Sequence, residues 1–212
     1  MENTHISLAH GNGGRFMREL IEDLFARHLA HPDLNVQADA ALIDLPNDGE
    51  ILFTTDGFTV QPLEFPGGNI GSLAVHGTVN DLAVSGAVPR YLSLNAFIEE
   101  GLETDTLVRI VKGIAGACAE SGTRIMAGDT KVVRRGEGGG IYLATTGVGV
   151  RPRGLKLGME LIRPGDRILV SGPVGDHGVC VMLAREQFGM RGDLRSDAAS
   201  VLPLAQDRKS VV

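Results

Sequence analysis

The chain has 212 residues, 43% of them apolar, and a formal net charge of -6, enough for one full core or for one domain plus part of another. Its basic residues are scattered and leave no cationic face, which argues against a nucleic-acid backbone or an anionic membrane surface as partner. No apolar run approaches the ~20 residues that span a bilayer, and Met1-Glu2-Asn3-Thr4-His5 lacks the basic and apolar regions of a signal peptide, so a cytoplasmic location is expected.

In chain order, His10-Gly11-Asn12-Gly13-Gly14 is a glycine-rich loop ahead of a helix marked by Phe16, Leu20, Ile21, Leu24, Phe25 and Leu29 at helical spacing. Ala40 to Leu45 and Glu50 to Thr55 read as two strands of a hairpin, joined by the turn Pro46-Asn47-Asp48-Gly49. Small apolar residues from Ile70 to Val84 read as a tightly packed helix with Asp81 on its accessible side, started by Asn69 or Ser72. A strand follows over Arg90 to Ile98, then a helix through Leu107, Ile110, Val111, Ile114 and Cys118 that ends at Ser121-Gly122. Arg124 to Ala127 and Ile141 to Val150 are further strands, with Arg134 to Gly140 expected as a flexible hairpin loop between them. The pattern breaks at Arg151 to Gly154, where a domain boundary is placed. A new strand, Arg167 to Ser171, and a helix from about Asp176 to Phe188 come after it. A chain cut near Arg153 is therefore expected to behave better than the whole, whose second unit has too few partners to cover Val179, Met182 and Leu183. Asp207-Arg208-Lys209-Ser210-Val211-Val212 continues no pattern and reads as an artificial tail.

Three carboxylates stand beside short residues at the expected ends of apolar segments: Asp56 before Gly57, Asp81 after Asn80, and Asp129 after Gly128. Each alone is an ordinary turn aspartate. Together with the glycine loop they suggest a magnesium–phosphate site, since carboxylate oxygens suit the hard cation and bare backbone N–H groups suit the phosphate. Lys131, two residues beyond Asp129, could reach phosphate oxygens as a point charge. His10 and His76 border glycines near this chemistry, although a lone histidine is more often packed than ligating. Gly11 to Gly14 matches neither the Walker A nor the dinucleotide fingerprint. Cys118 and Cys180 are too isolated for a disulfide framework or a metal site and read as buried thiols.

Five collinear runs carry a resemblance. They are Ala9 to Gly14, Phe65 to Gly71, Gly77 to Ala87, Gly128 to Val133 and Val170 to Gly178, and together they resemble the HypE family of hydrogenase maturation proteins. The likeness covers nearly everything up to Gln206. The family sits in the superfamily of aminoimidazole ribonucleotide synthetase, selenophosphate synthetase and thiamine-monophosphate kinase. The resemblance implies an α/β, PurM-like N-terminal domain of mixed sheet with flanking helices over residues 1–153, serving ATP binding and dimerisation. Residues 154–206 would begin a C-terminal domain of the same kind, and 207–212 would be the tail.

It further implies a homodimer whose sheets form a shared barrel with ATP near the interface. Asp56, Asp81 and Asp129 would hold Mg2+, and Gly11, Asn12, Gly13, Gly14, Asn80, Thr130 and Lys131 would contact the nucleotide. The implied activity is ATP-dependent dehydration of a thiocarboxamide on a C-terminal cysteine to a thiocyanate. The carbamoyltransferase HypF supplies the carbamoyl group, and the cyanide passes to iron on the HypC–HypD complex. Neither Cys118 nor Cys180 matches that cysteine, so this chain is expected to bind nucleotide without completing the reaction. Gly57 and Asn12 stand where the family usually has serine. Two alternatives remain: another ATP-using PurM-like enzyme, and a non-catalytic, nucleotide-responsive dimerisation or scaffold module. A selenophosphate synthetase would want a reactive Cys near the glycine loop, where none is present. Magnesium-dependent ATP binding separates an enzyme from a scaffold.

Overall fold

A computed structural model describes residues 4–36, 38, 40–185 and 192–207. Its centre is a four-stranded mixed sheet in the order β1-β6-β4-β5. The strands are β1 (Gly49–Phe58), β4 (Val88–Glu99), β5 (Arg124–Val133) and β6 (Ile141–Pro152); β2 (Glu64–Phe65) and β3 (Gly68–Asn69) form a separate small hairpin. β6 runs antiparallel to both of its neighbours, and β4 and β5 are parallel. Helices α2 (Ile70–Val84) and α3 (Thr104–Ser121) lie against one face. Strand alternation turns Leu92, Leu94, Ala96 and Ile98 of β4 and Ile141, Leu143 and Thr145 of β6 toward those helices, where all are buried.

Local chemistry explains both helices. Asn69 caps α2: its Oδ1 accepts the Gly71 and Ser72 N–H groups at 2.9 and 3.0 Å, and Ser72 Oγ accepts the Asn69 N–H in return. α3 buries Leu107, Ile110, Val111, Ile114 and Cys118 along one stripe and stops at Gly122, whose φ of 67° supplies the left-handed C-terminal residue. The first helix forms as α1 (Arg15–Leu20), then widens into a π-helical segment over Ile21–Ala26 that buries Leu24 and Phe25.

Several expectations are corrected. Residues 40–48 contain no strand, and Leu42 is 90% exposed. β1 pairs instead with β6 over ten positions, from Gly49 opposite Pro152 to Phe58 opposite Leu143, a longer ladder than the short hairpin arm could offer. Asp56 and Asp129 lie inside strands, not at their ends, because β6 and β4 extend far enough to pair with them. Residues 134–140 do not close a hairpin, since β4 lies between β5 and β6. The Glu99 carboxylate holds that crossing loop, accepting the Gly136 and Gly140 N–H groups at 2.5 and 2.9 Å.

After β6 the chain leaves the sheet. Residues 167–171 form no strand, and Ile168 and Leu169 are about nine-tenths exposed, because no described strand lies beside them to complete a ladder. The predicted helix forms as α4 (Asp176–Ala184), with 186–188 outside the described residues. Cys180 and Val181 of α4 and Leu202 of the short α5 (Leu202–Gln206) join the same core cluster as Phe65 and Ile70. Asp207 is exposed, and 208–212 lie outside the described residues.

Candidate nucleotide site

The residues singled out in the sequence fall into two groups at opposite edges of the sheet. On the β1 edge, Asp56 pairs with Thr145 and so faces the helices. Its Oδ2 lies 3.8 Å from where a Cβ would stand on Gly77 of α2. Asp81, one turn further along α2, accepts a hydrogen bond from Thr54 Oγ1 of β1 at 3.3 Å. Asp56 and Asp81 are both exposed, so this strand–helix corner offers two open carboxylates over a glycine. Thr54 carried no signal in the sequence, because only the pairing of β1 with β6 turns it toward α2.

On the β5 edge, Asp129 pairs with Asn95 and therefore faces away from the helices. Its Oδ1 accepts the Thr130 N–H at 2.8 Å, and Lys131 Nζ lies 2.9 Å from its Oδ2. The Lys131 ammonium, followed by the Thr130 amide, holds this carboxyl below the ordinary carboxylate range. The glycine loop sits alongside: a Cβ on Gly11 would come within 2.9 Å of the Val132 N and Cβ. Only glycine allows that approach to β5. Asn12, Gly13 and Gly14 remain exposed.

The two groups do not meet within one chain. Two strands separate β1 from β5, a spacing of roughly 14 Å at ~4.8 Å per strand, and Asp56 and Asp129 point to opposite faces. Among the described residues no three of the His, Cys, Asp and Glu side chains gather as a metal site. Asn80 points elsewhere again: its Nδ2 donates to the Ala199 carbonyl at 2.9 Å, and its Oδ1 accepts the Val201 N–H at 2.8 Å. Thr130 is buried. His10 is buried as well, with its Nδ1 accepting the Ser7 N–H at 3.0 Å, so it anchors the start of the glycine loop. His76 is buried against α3, 3.9 Å from Glu120, and burial lowers its pKa.

The outer sheet face adds one more feature. Ile51 and Phe53 of β1 are 62% and 70% exposed, and Phe97 of β4 and Tyr142 of β6 face the same way, paired with each other. No described helix covers this apolar surface, whereas α2 and α3 cover the other.

Residues 37–151, more than half of the chain, match the family described as AIR synthase related protein, N-terminal domain. Carbamoyl dehydratase HypE of Azotobacter vinelandii is 48% identical over 201 residues, covering 95% of this chain and 59% of that protein. A crystal structure of the hydrogenase maturation protein HypE in complex with ATP superposes with a TM-score of 0.88 at 45% identity, covering 94% of this chain and 59% of that one. A HypE–HypF complex gives a TM-score of 0.71 at 45% identity, covering 88% of this chain and 60% of that one. The chain thus spans about three fifths of the length of these relatives. With the mixed sheet, its flanking helices and this likeness in agreement, the chain belongs to the AIR synthase related family and is a relative of the HypE hydrogenase maturation proteins.

Proposed function

We propose that this chain forms the Mg-ATP-binding part of a carbamoyl dehydratase of the HypE kind, and that each nucleotide site is shared between two copies. The carrying observation is the division of the candidate residues between the two edge strands of the sheet: oxygen donors at β1, with the glycine loop and Lys131 at β5. A homodimer in which two sheets close a barrel, β1 of one copy beside β5 of the next, would join the halves. It would also cover Ile51 and Phe53.

The donor set fits the hard cation. Asp56 and Asp81 present only oxygen, and both are accessible. In the joined site they would hold Mg2+, while the exposed amides of Asn12 to Gly14 of the other copy and its long Lys131 side chain, reaching round the β5 edge, would hold phosphate oxygens; Asp129, on the opposite sheet face from Asp56, would serve the site by setting Lys131. Mg-ATP, when bound, supplies the phosphoryl group that turns a carboxamide oxygen into a leaving group. The net change on the cysteine thiocarboxamide is loss of one oxygen and both amide protons, leaving a thiocyanate. Cys118 and Cys180 are buried and unsuited to carry that group. A C-terminal cysteine of the longer protein would carry it, with HypF donating the carbamoyl group, the HypC–HypD complex receiving cyanide, and the work taking place in the cytoplasm.

Calorimetric titration with ATP tests this reading. Binding is expected only with Mg2+ present, and Asp81→Asn, which keeps the shape but removes the charge, should weaken it at least tenfold. Equal affinity with and without Mg2+ would return Asp56, Asp81 and Asp129 to ordinary turn and strand aspartates and favour the scaffold alternative.

A further inference from the structure

Beyond the candidate site, the chain makes an unusual joint between its last described segment and α2. Residues 196–202 lie as a strap across the β2–β3 hairpin and the C-terminal turns of α2. The Ser196 N–H donates to the Pro66 carbonyl at 2.8 Å, beside Gly67, whose φ of 104° and missing Cβ leave room for Ser196. The Asp197 carboxylate accepts the His177 N–H at 2.8 Å, and His177 Nδ1 lies 2.9 Å from Ser196 Oγ. At the other end Leu202 enters the core cluster. Between them Asn80 grips the strap by its backbone alone, one amide arm on the Ala199 carbonyl and the other on the Val201 N–H.

Both arms of Asn80 are used, and its neighbour is Asp81. Successive residues on a helix diverge by about 100°, so one turn of α2 presents Asn80 to the strap and Asp81 to Thr54 of β1. That turn cannot shift toward β1 without dragging on two hydrogen bonds to the strap. We propose that Asn80 is a positioning residue that couples the docking of strap 196–202 to occupancy of the Asp56–Asp81 corner. This rests on the reading of that corner as part of the nucleotide site. A cation held by Asp81 fixes the last turns of α2, and a fixed Asn80 holds the strap. By reciprocity, a docked strap strengthens nucleotide binding.

Hydrogen exchange on the whole chain, read by mass spectrometry over peptides covering 196–206, tests the coupling. In the wild type, saturating Mg-ATP should slow exchange there severalfold. Asn80→Ala should speed exchange of the unliganded strap about tenfold, the effect of losing two hydrogen bonds, and weaken ATP binding. Asp81→Asn should leave the unliganded strap as protected as in the wild type and abolish the slowing by Mg-ATP. Ser196→Ala, which loosens the strap by removing the Ser196 Oγ contacts to His177 Nδ1 and the Ala198 N–H without touching α2, should weaken ATP binding in the same direction as Asn80→Ala, though less, because Asp197 still accepts the His177 N–H. Tight ATP binding by the wild type with no change in strap exchange would overturn the coupling and leave the nucleotide site standing. Absence of ATP binding by the wild type would instead remove the site on which the coupling rests.

Discussion

Replacing Gly71 by alanine should damage the protein more than any residue scale suggests. Gly71 is the second residue of α2 and lies directly against α3. A Cβ there would run into the Ile110 carbonyl oxygen and lie 2.8 Å from Ile114 Cγ1 and 3.0 Å from Asn69 Oδ1. The carbonyl belongs to helical backbone and cannot rotate aside, so α2 and α3 must separate. Overpacking of this kind costs roughly 1–3 kcal/mol, and disturbing the Asn69 cap adds about 1 kcal/mol. Against this stands a helix-propensity gain of about 1 kcal/mol for Gly→Ala. The net expectation is a loss of about 2 kcal/mol. Gly116→Ala on α3 is the matched control, because it is exposed and a Cβ there meets nothing within 4 Å. It should gain roughly 0.5–1 kcal/mol. Urea denaturation of both variants measures the pair. A Gly71→Ala protein as stable as the wild type would refute the close α2–α3 packing on which the position of Asp81 depends.

Glu99 accepts two amides of the 134–140 loop, which lowers its pKa, so its hold on the loop is complete above the ordinary glutamate value of ~4.3 and is lost as pH falls below it. Protection of the Gly136 and Gly140 amides, measured as exchange relative to the intrinsic rate at each pH, should fall under acid, and Glu99→Gln should show the lower protection already at neutral pH. Burial pushes the Cys118 thiol up from 9.0 to about 11, which cuts its thiolate fraction on the order of 100-fold. Alkylation at pH 8 should therefore be slow until urea unfolds the chain. Ending the chain at Arg153 strips Cys180, Val181 and Leu202 from the core cluster and uncovers Phe65. We therefore expect that shorter chain to aggregate more than the 212-residue one in light scattering, against the expectation drawn from the sequence pattern.

Where one periodicity governed, the sequence was legible. The stripe from Leu107 to Cys118 and the Asn69 cap marked α3 and α2, and the alternation in Ile141 to Val150 marked β6. Pairing was hidden, because nothing local says that Gly49–Phe58 joins a strand some ninety residues later. The same long-range pairing separated the three aspartates. Their shared setting beside short residues suggested one cluster, yet β1 and β5 became opposite edges. Asn80 was hidden for a similar reason, since its partners, Ala199 and Val201, lie more than a hundred residues away.

Mixing two defective variants tests the shared site most directly. Asp81→Asn and Asp129→Asn are purified separately, each losing Mg-ATP binding, and are then exchanged into mixed dimers. If each site takes its acidic half from one copy and its phosphate half from the other, a mixed dimer holds one wholly wild-type site and one doubly altered site. Random pairing at equal amounts makes about half of the dimers mixed, so about a quarter of all sites should recover full Mg-ATP affinity in calorimetry. No recovery in dimers shown to be mixed would mean that the two halves never join across the interface and would contradict the account.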